Sequence, residues 1–133
     1  MIKGIYKLER KKIIEIVSKH LIGNYWLGNM DSKDEFDIKY IGRSLKWTNS
    51  GLQKRLLDHA SKKDFTHFSF RAASSVEEVY NIECREYHRL RDKIVNIRHP
   101  DSPTGFNLDC EYCRTYRINQ SYSNGIRNGV LHG

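Results

Sequence analysis

Cysteine is scarce in this sequence and odd in number: three residues, too few for a disulfide framework. Proline is rarer still. Two prolines and nine glycines exclude a collagen-like chain or a proline-rich linker protein. No apolar run approaches the roughly 20 residues needed to span a bilayer. The basic N-terminus is not followed by an apolar stretch, so no signal peptide is expected, and a cytoplasmic or nucleoid-associated location is the simplest expectation. What remains is 133 residues, a length that suits one compact domain.

What the sequence does have is positive charge. Lys and Arg number 23 against 16 Asp and Glu, a formal net charge of +7. The excess is spread along the chain, and the one dense basic run is Lys7 to Lys12, interrupted by Leu8 and Glu9. There is no basic tail that binds nucleic acid by charge alone. A polyanion partner therefore requires folding to gather the charge on one face.

Residues 7–21 place Ile13, Ile16, Val17 and Leu21 at helical spacing and predict an amphipathic helix ended by Gly23. Asn24 to Gly28 predicts a strand. Phe36, Ile38 and Tyr40 alternate with Asp37, Lys39 and Ile41 and predict a second, forming an antiparallel hairpin with the first. Thr48, Asn49 and Ser50 are good N-cap residues, with Ser50 and Gln53 as a capping box before Leu52, Leu56, Leu57 and Ala60. Phe65 to Ala72 predicts a third strand. Ser74 with Glu77, or Ser75 with Glu78, would cap a longer helix running to about Val95. The last twenty residues show no period, and a loose tail is expected there.

Polar residues interrupt the apolar pattern at three places. Val76, Val79, Tyr80, Tyr87, Leu90 and Ile94 mark the inner stripe of the long helix, and Glu83 lies on it. A carboxylate there is expensive unless paired or holding a metal. It is either a structural partner of an Arg or a ligand for a hard cation such as Mg²⁺. Arg55 and His59 are four apart on the short helix and share one face. They are either a solvated edge or a guanidinium and an imidazole aimed at a phosphate.

Tyr40-Ile41-Gly42 at a strand end, then Arg43-Ser44, then Leu-x-x-Arg-x-x-x-His on a helix, resembles the GIY-YIG nuclease family. Glu83 in a later helix and Gly105-Phe106-Asn107 downstream match further marks of that family. The resemblance covers about residues 22–108. It implies an α+β fold, a small three-stranded antiparallel sheet flanked by helices, here with an extra N-terminal helix. The organisation expected is 1–21 as helical extension, 22–108 as nuclease domain, and 109–133 as a Cys-x-x-Cys segment and tail. Two tyrosines compete for the first motif. Gly4-Ile5-Tyr6 matches literally but runs into a sequence that reads as helix. Gly23-Asn24-Tyr25 has Asn for Ile but sits on the strand expected to pair with that of Tyr40, so Tyr25 is preferred.

The resemblance implies a phosphodiester hydrolase acting on DNA. Glu83 would hold one divalent cation, Mg²⁺ or Mn²⁺, and Arg55 would offset charge on the phosphoryl oxygens. Tyr25 would be the general base, its hydroxyl pKa lowered by nearby positive charge. Tyr40 and His59 would position water or phosphate. Arg43, Lys39 and Asn107 are substrate-binding candidates. No DNA-choosing domain is apparent, so specificity would come from a homodimer, a partner protein, or the N-terminal helix and tail. The partner expected is nucleic acid, DNA ahead of RNA, with no membrane. The competing functions are a non-cleaving nucleic-acid-binding module of the same fold and a small zinc-binding interaction domain.

Cys110-x-x-Cys113 has zinc-ligand spacing, but a structural zinc needs four ligands, for which Cys84, His88 and His99 are available. The expectation is two reduced thiols near the surface, with zinc the lesser reading. Cys84 and Trp26 read as core residues. Trp47, Tyr112, Tyr116 and Tyr122 are candidates to stack on bases.

Overall fold

The computed structural model describes residues 4–46, 51–96 and 98–113. Trp47, Ser50, Tyr116 and Tyr122 lie outside them. The chain order is β1 (Tyr6–Lys7), α1 (Arg10–Ile16), β2 (Gly23–Met30), β3 (Phe36–Ser44), α2 (Gly51–Lys62), β4 (His67–Ala72) and α3 (Val76–Leu90). The strands form one antiparallel sheet in the order β1-β4-β2-β3. The fold is therefore α+β as expected, but with four strands instead of three. The fourth is Tyr6–Lys7, which the charge run had disguised as the start of a helix. It pairs with Phe68 and His67 of β4. The helix that follows is correspondingly short. It is held because Ile13, with Leu8 and Val17 on either side of it, is buried in the core.

The two faces of the sheet carry separate cores. On one, Tyr25, Leu27 and Phe68 pack with Ile13, Leu52 and Leu56 of α1 and α2. On the other, Trp26 and Ile41 pack with Ile82 and Leu90 of α3. Two buried amides tie helical layers to their neighbours: Asn24 Nδ2 donates to the Val79 carbonyl (3.0 Å), and Gln53 Nε2 to the Val17 carbonyl (2.8 Å). Asn24 is the residue that departs from the family motif, and its side chain faces α3. At the start of α3, Ser75 accepts from the Glu78 N–H, while Glu78 Oε1 accepts from the Ser74 N–H. The helix stops at Leu90, short of the expected Val95.

The decisive irregularity is a bulge in β3. Leu27 faces Tyr40 but Gly28 faces Ile38, which leaves Lys39 as the extra residue. Simple alternation puts Phe36, Ile38 and Tyr40 on one face. The bulge splits them: Phe36 and Ile38 join the α3 core, whereas Tyr40 turns to the α2 side beside Tyr25.

The outer edge of β3 is covered by the chain leaving α3. The Val95 N–H donates to the Lys39 carbonyl (2.6 Å). Asn96 acts as a one-residue strand: its Oδ1 accepts from the Ile41 N–H (3.0 Å) and its Nδ2 donates to the Ile41 carbonyl (2.8 Å). This satisfies an edge that would otherwise be open to intermolecular pairing.

Candidate functional site

Pairing of β2 with β3 sets Tyr25 opposite Gly42. The Tyr25 ring lies over Gly42, where a Cβ would collide with the ring and its hydroxyl. Here glycine is required for close approach. Tyr40, one strand over, stacks with Tyr25 at 6.2 Å between ring centroids. His59 projects from α2 onto both, its ring 5.4 Å from Tyr25 and 5.2 Å from Tyr40. Its Nε2 is 3.0 Å from the Tyr25 hydroxyl oxygen and hydrogen-bonded to it. Four expected site residues thus converge around one hydroxyl, since Arg55 also lies close enough for its charge to act on Tyr25 and His59.

Tyr6 is elsewhere. It packs on Phe68 and Phe70 at the far edge of the sheet. Three strand spacings separate β1 from β3, roughly 14 Å. The strand of Tyr25, and not that of Tyr6, pairs with the strand of Tyr40.

Protonation departs from expectation. Burial, reinforced by Tyr40, raises the Tyr25 hydroxyl pKa above its ordinary value, and the lowering effect of Arg55 is the smaller one. At neutral pH the phenol keeps its proton. His59 is pushed the other way: burial, then Lys62, with Arg55 adding, lowers its pKa and favours the neutral imidazole.

Glu83 stands on the α3 side. Its Oε1 accepts from Arg43 Nη1 at 2.9 Å, and the same nitrogen donates to the Asp101 carbonyl at 2.8 Å. Burial raises the Glu83 carboxyl, Arg43 opposes that, and the Asp101 charge adds to it. Glu83 also acts electrostatically on Tyr25 from the end of β3 that carries Arg43. Between that end and α2 lies an open cleft of about 390 Å³ lined by Arg43, Lys46, Lys54 and Arg55, with Asp58 the one acid on its wall. Folding has gathered there cations that are dispersed in the sequence.

Two candidates are not brought in. Lys39 is paired with Asp37 at 3.2 Å on the bulge. Asn107 lies exposed on the loop after Gly105. One buried carboxylate escaped the sequence pattern. Glu86, only 1% exposed, accepts from Trp26 Nε1 (3.1 Å) and from Arg89 Nε and Nη2 (2.9 and 2.7 Å). Burial alone would raise its carboxyl, but Arg89, Arg85 and Trp26 hold it below the ordinary carboxylate value. The indole that demands a buried acceptor lies sixty residues away in sequence, which hides the pairing.

The cysteine pair, both thiols free, stands together with two histidines. His88, His99, Cys110 and Cys113 place one ligand atom each within 4.8 Å of one another, a group that could hold a metal ion. Cys84 is instead buried with Tyr80 and Cys110 in a small core of its own. Among the described residues, no helix is long and apolar enough to cross a membrane. Compared with protein-family models, curated proteins and solved structures, the chain matches none.

Proposed function

We propose that this protein is a metal-dependent endonuclease that hydrolyses phosphodiester bonds in DNA. The observation carrying this reading is the Tyr25–His59 hydrogen bond set beside a cleft walled by four cations. A polyanionic backbone fits that cleft, with Arg55 and Arg43 presenting guanidinium forks to phosphate oxygens.

Because Tyr25 is protonated at rest, it serves as a relay. As its oxygen takes a proton from the attacking water, its own proton passes to His59 Nε2, which the neutral imidazole can accept. Tyr40 packs against both rings and holds them in this register. Arg55 offsets the charge that grows on the phosphoryl oxygens.

Glu83 would hold the divalent cation, with Asp101 near enough for its charge to act on the same carboxyl. One or two carboxylates with the remaining positions left to water and phosphate suit Mg²⁺ or Mn²⁺. When bound, such an ion supplies Lewis-acid stabilisation to the leaving oxygen. Arg43 now occupies Glu83 Oε1. It is placed to exchange that carboxylate for a phosphate oxygen of the substrate.

The test is cleavage of plasmid and branched DNA with Mg²⁺ or Mn²⁺ by wild type and by Glu83→Ala. Cutting that Glu83→Ala loses supports the proposal. Binding without cutting by the wild type would favour the non-cleaving module, and full activity of the variant would remove Glu83 from the site.

A further inference from the structure

We propose that His88, His99, Cys110 and Cys113 form a zinc site, separate from Glu83, that ties the chain following α3 to the rest of the domain. The inference stands whether or not the protein cuts DNA.

The four ligand atoms come from three pieces of chain: the last turn of α3, the Arg98–Asp101 stretch, and the Cys-x-x-Cys turn. Tetrahedral zinc with two sulfurs and two nitrogens needs ligand–ligand edges of about 3.3–3.8 Å. The four atoms lie within 4.8 Å of one another, and His88 Nε2 is already 3.2 Å from Cys113 Sγ. Small side-chain adjustments close the remainder.

Two further observations point to a bound cation. His99 Nδ1 is 2.7 Å from the Pro100 carbonyl, an acceptor only, so Nδ1 carries the hydrogen and Nε2 the lone pair. That Nε2 is buried and has no hydrogen-bond partner. A buried, unpartnered imidazole nitrogen on a residue grouped with two cysteines and a second histidine fits a metal ligand with a carbonyl behind it. The Cys113 N–H also donates to Cys110 Sγ at 3.3 Å, stabilising negative charge on that sulfur. Two soft thiolates with two imidazoles select zinc over Mg²⁺, which takes oxygen donors.

The site has a structural consequence. Val95, Asn96 and Asp101 lie between the His88 and Cys110 ligands in sequence and bond to Lys39, Ile41 and Arg43 of β3. Fixing both ends of this stretch fixes the cover on the β3 edge and the carbonyl that orients Arg43.

Metal analysis of full-length protein purified without chelator should find about one zinc per chain, and Cys113→Ser or His99→Ala should lose most of it. Should those variants fail to fold, wild-type protein exchanged with Co²⁺ gives the same answer. Thiolate-to-cobalt absorption in the near ultraviolet with visible bands of tetrahedral Co²⁺ supports the site. Absence of both zinc and that spectrum, or a Cys110–Cys113 disulfide, overturns it. Stripping the zinc should also speed hydrogen exchange at the Ile41 and Val95 amides, and unchanged exchange would overturn the proposed tie.

Discussion

Glu83 and Glu86 stand three residues apart on the same helix and have opposite characters. Glu86 is the more deeply buried, yet its oxygens are fully engaged by an indole and a bidentate guanidinium, and its carboxyl is held below the ordinary value. Glu83 has a single guanidinium, itself shared with a backbone carbonyl, and its carboxyl is raised. Burial by itself therefore does not mark a functional carboxylate. What separates the two is how much of the oxygen capacity the protein already satisfies. Glu86 fastens Trp26 and α3 together, whereas Glu83 keeps capacity for a ligand.

The largest effect expected from this contrast is on activity. Glu83→Ala should lower metal-dependent DNA cleavage about a thousandfold while thermal unfolding stays near that of the wild type. Glu86→Ala should do the reverse. Leaving Trp26 Nε1 and Arg89 without their buried acceptor should cost about 3 kcal/mol in chemical denaturation, with per-folded-molecule cleavage unchanged. If Glu86→Ala abolishes the proposed cleavage while the protein stays stably folded, the division between the two carboxylates fails.

Two tyrosines on one face of the sheet extend the contrast. Tyr25 bonds His59 at the cleft, and Tyr6 packs on phenylalanines at the opposite edge. Tyr25→Phe should reduce cleavage about a hundredfold, and Tyr6→Phe should leave the rate unaltered. Rate measurements showing the opposite order would move the site to the literal Gly-Ile-Tyr motif.

The smallest effect is in the pH dependence of stability. The Glu86 carboxyl is lowered by folding, so its contribution is full above the ordinary value near 4.5 and disappears as pH falls through the folded pKa. Glu83 is raised, so its contribution is full below 4.5 and lost as pH rises through the folded pKa. Relative to wild type, Glu86→Gln should be most destabilised at neutral pH. Glu83→Gln should improve as pH rises from 4.5 to 7. Denaturation curves followed from below pH 4.5 up to neutral pH in which both variants change in the same direction relative to wild type would contradict the assigned environments.

Much of the fold was legible because local signals agreed with it. The β2–β3 hairpin, the helices carrying His59 and Glu83, and the Ser75–Glu78 cap all follow from period and capping chemistry. Tyr6–Lys7 was missed because two residues are too few to show a period, and their strand exists only through pairing with β4. The bulge at Lys39 was invisible for a related reason. Alternation in one strand says nothing of the register kept by its partner, and that register decides that Tyr40 faces Tyr25.

The sequence alone therefore determined which residue types are present to do chemistry and which of them share a helix face, since those depend on spacing along one element. Tertiary structure decided the rest. It raised the Tyr25 hydroxyl by burying it, where the general-base role implied by the resemblance called for lowering. It divided Glu83 from Glu86 by giving one Arg43 and the other Trp26 and Arg89. It brought His88 and His99 to a cysteine pair more than ten residues further on. Solvation and the choice of partner depend on what the rest of the chain places nearby, and spacing within one element does not encode them.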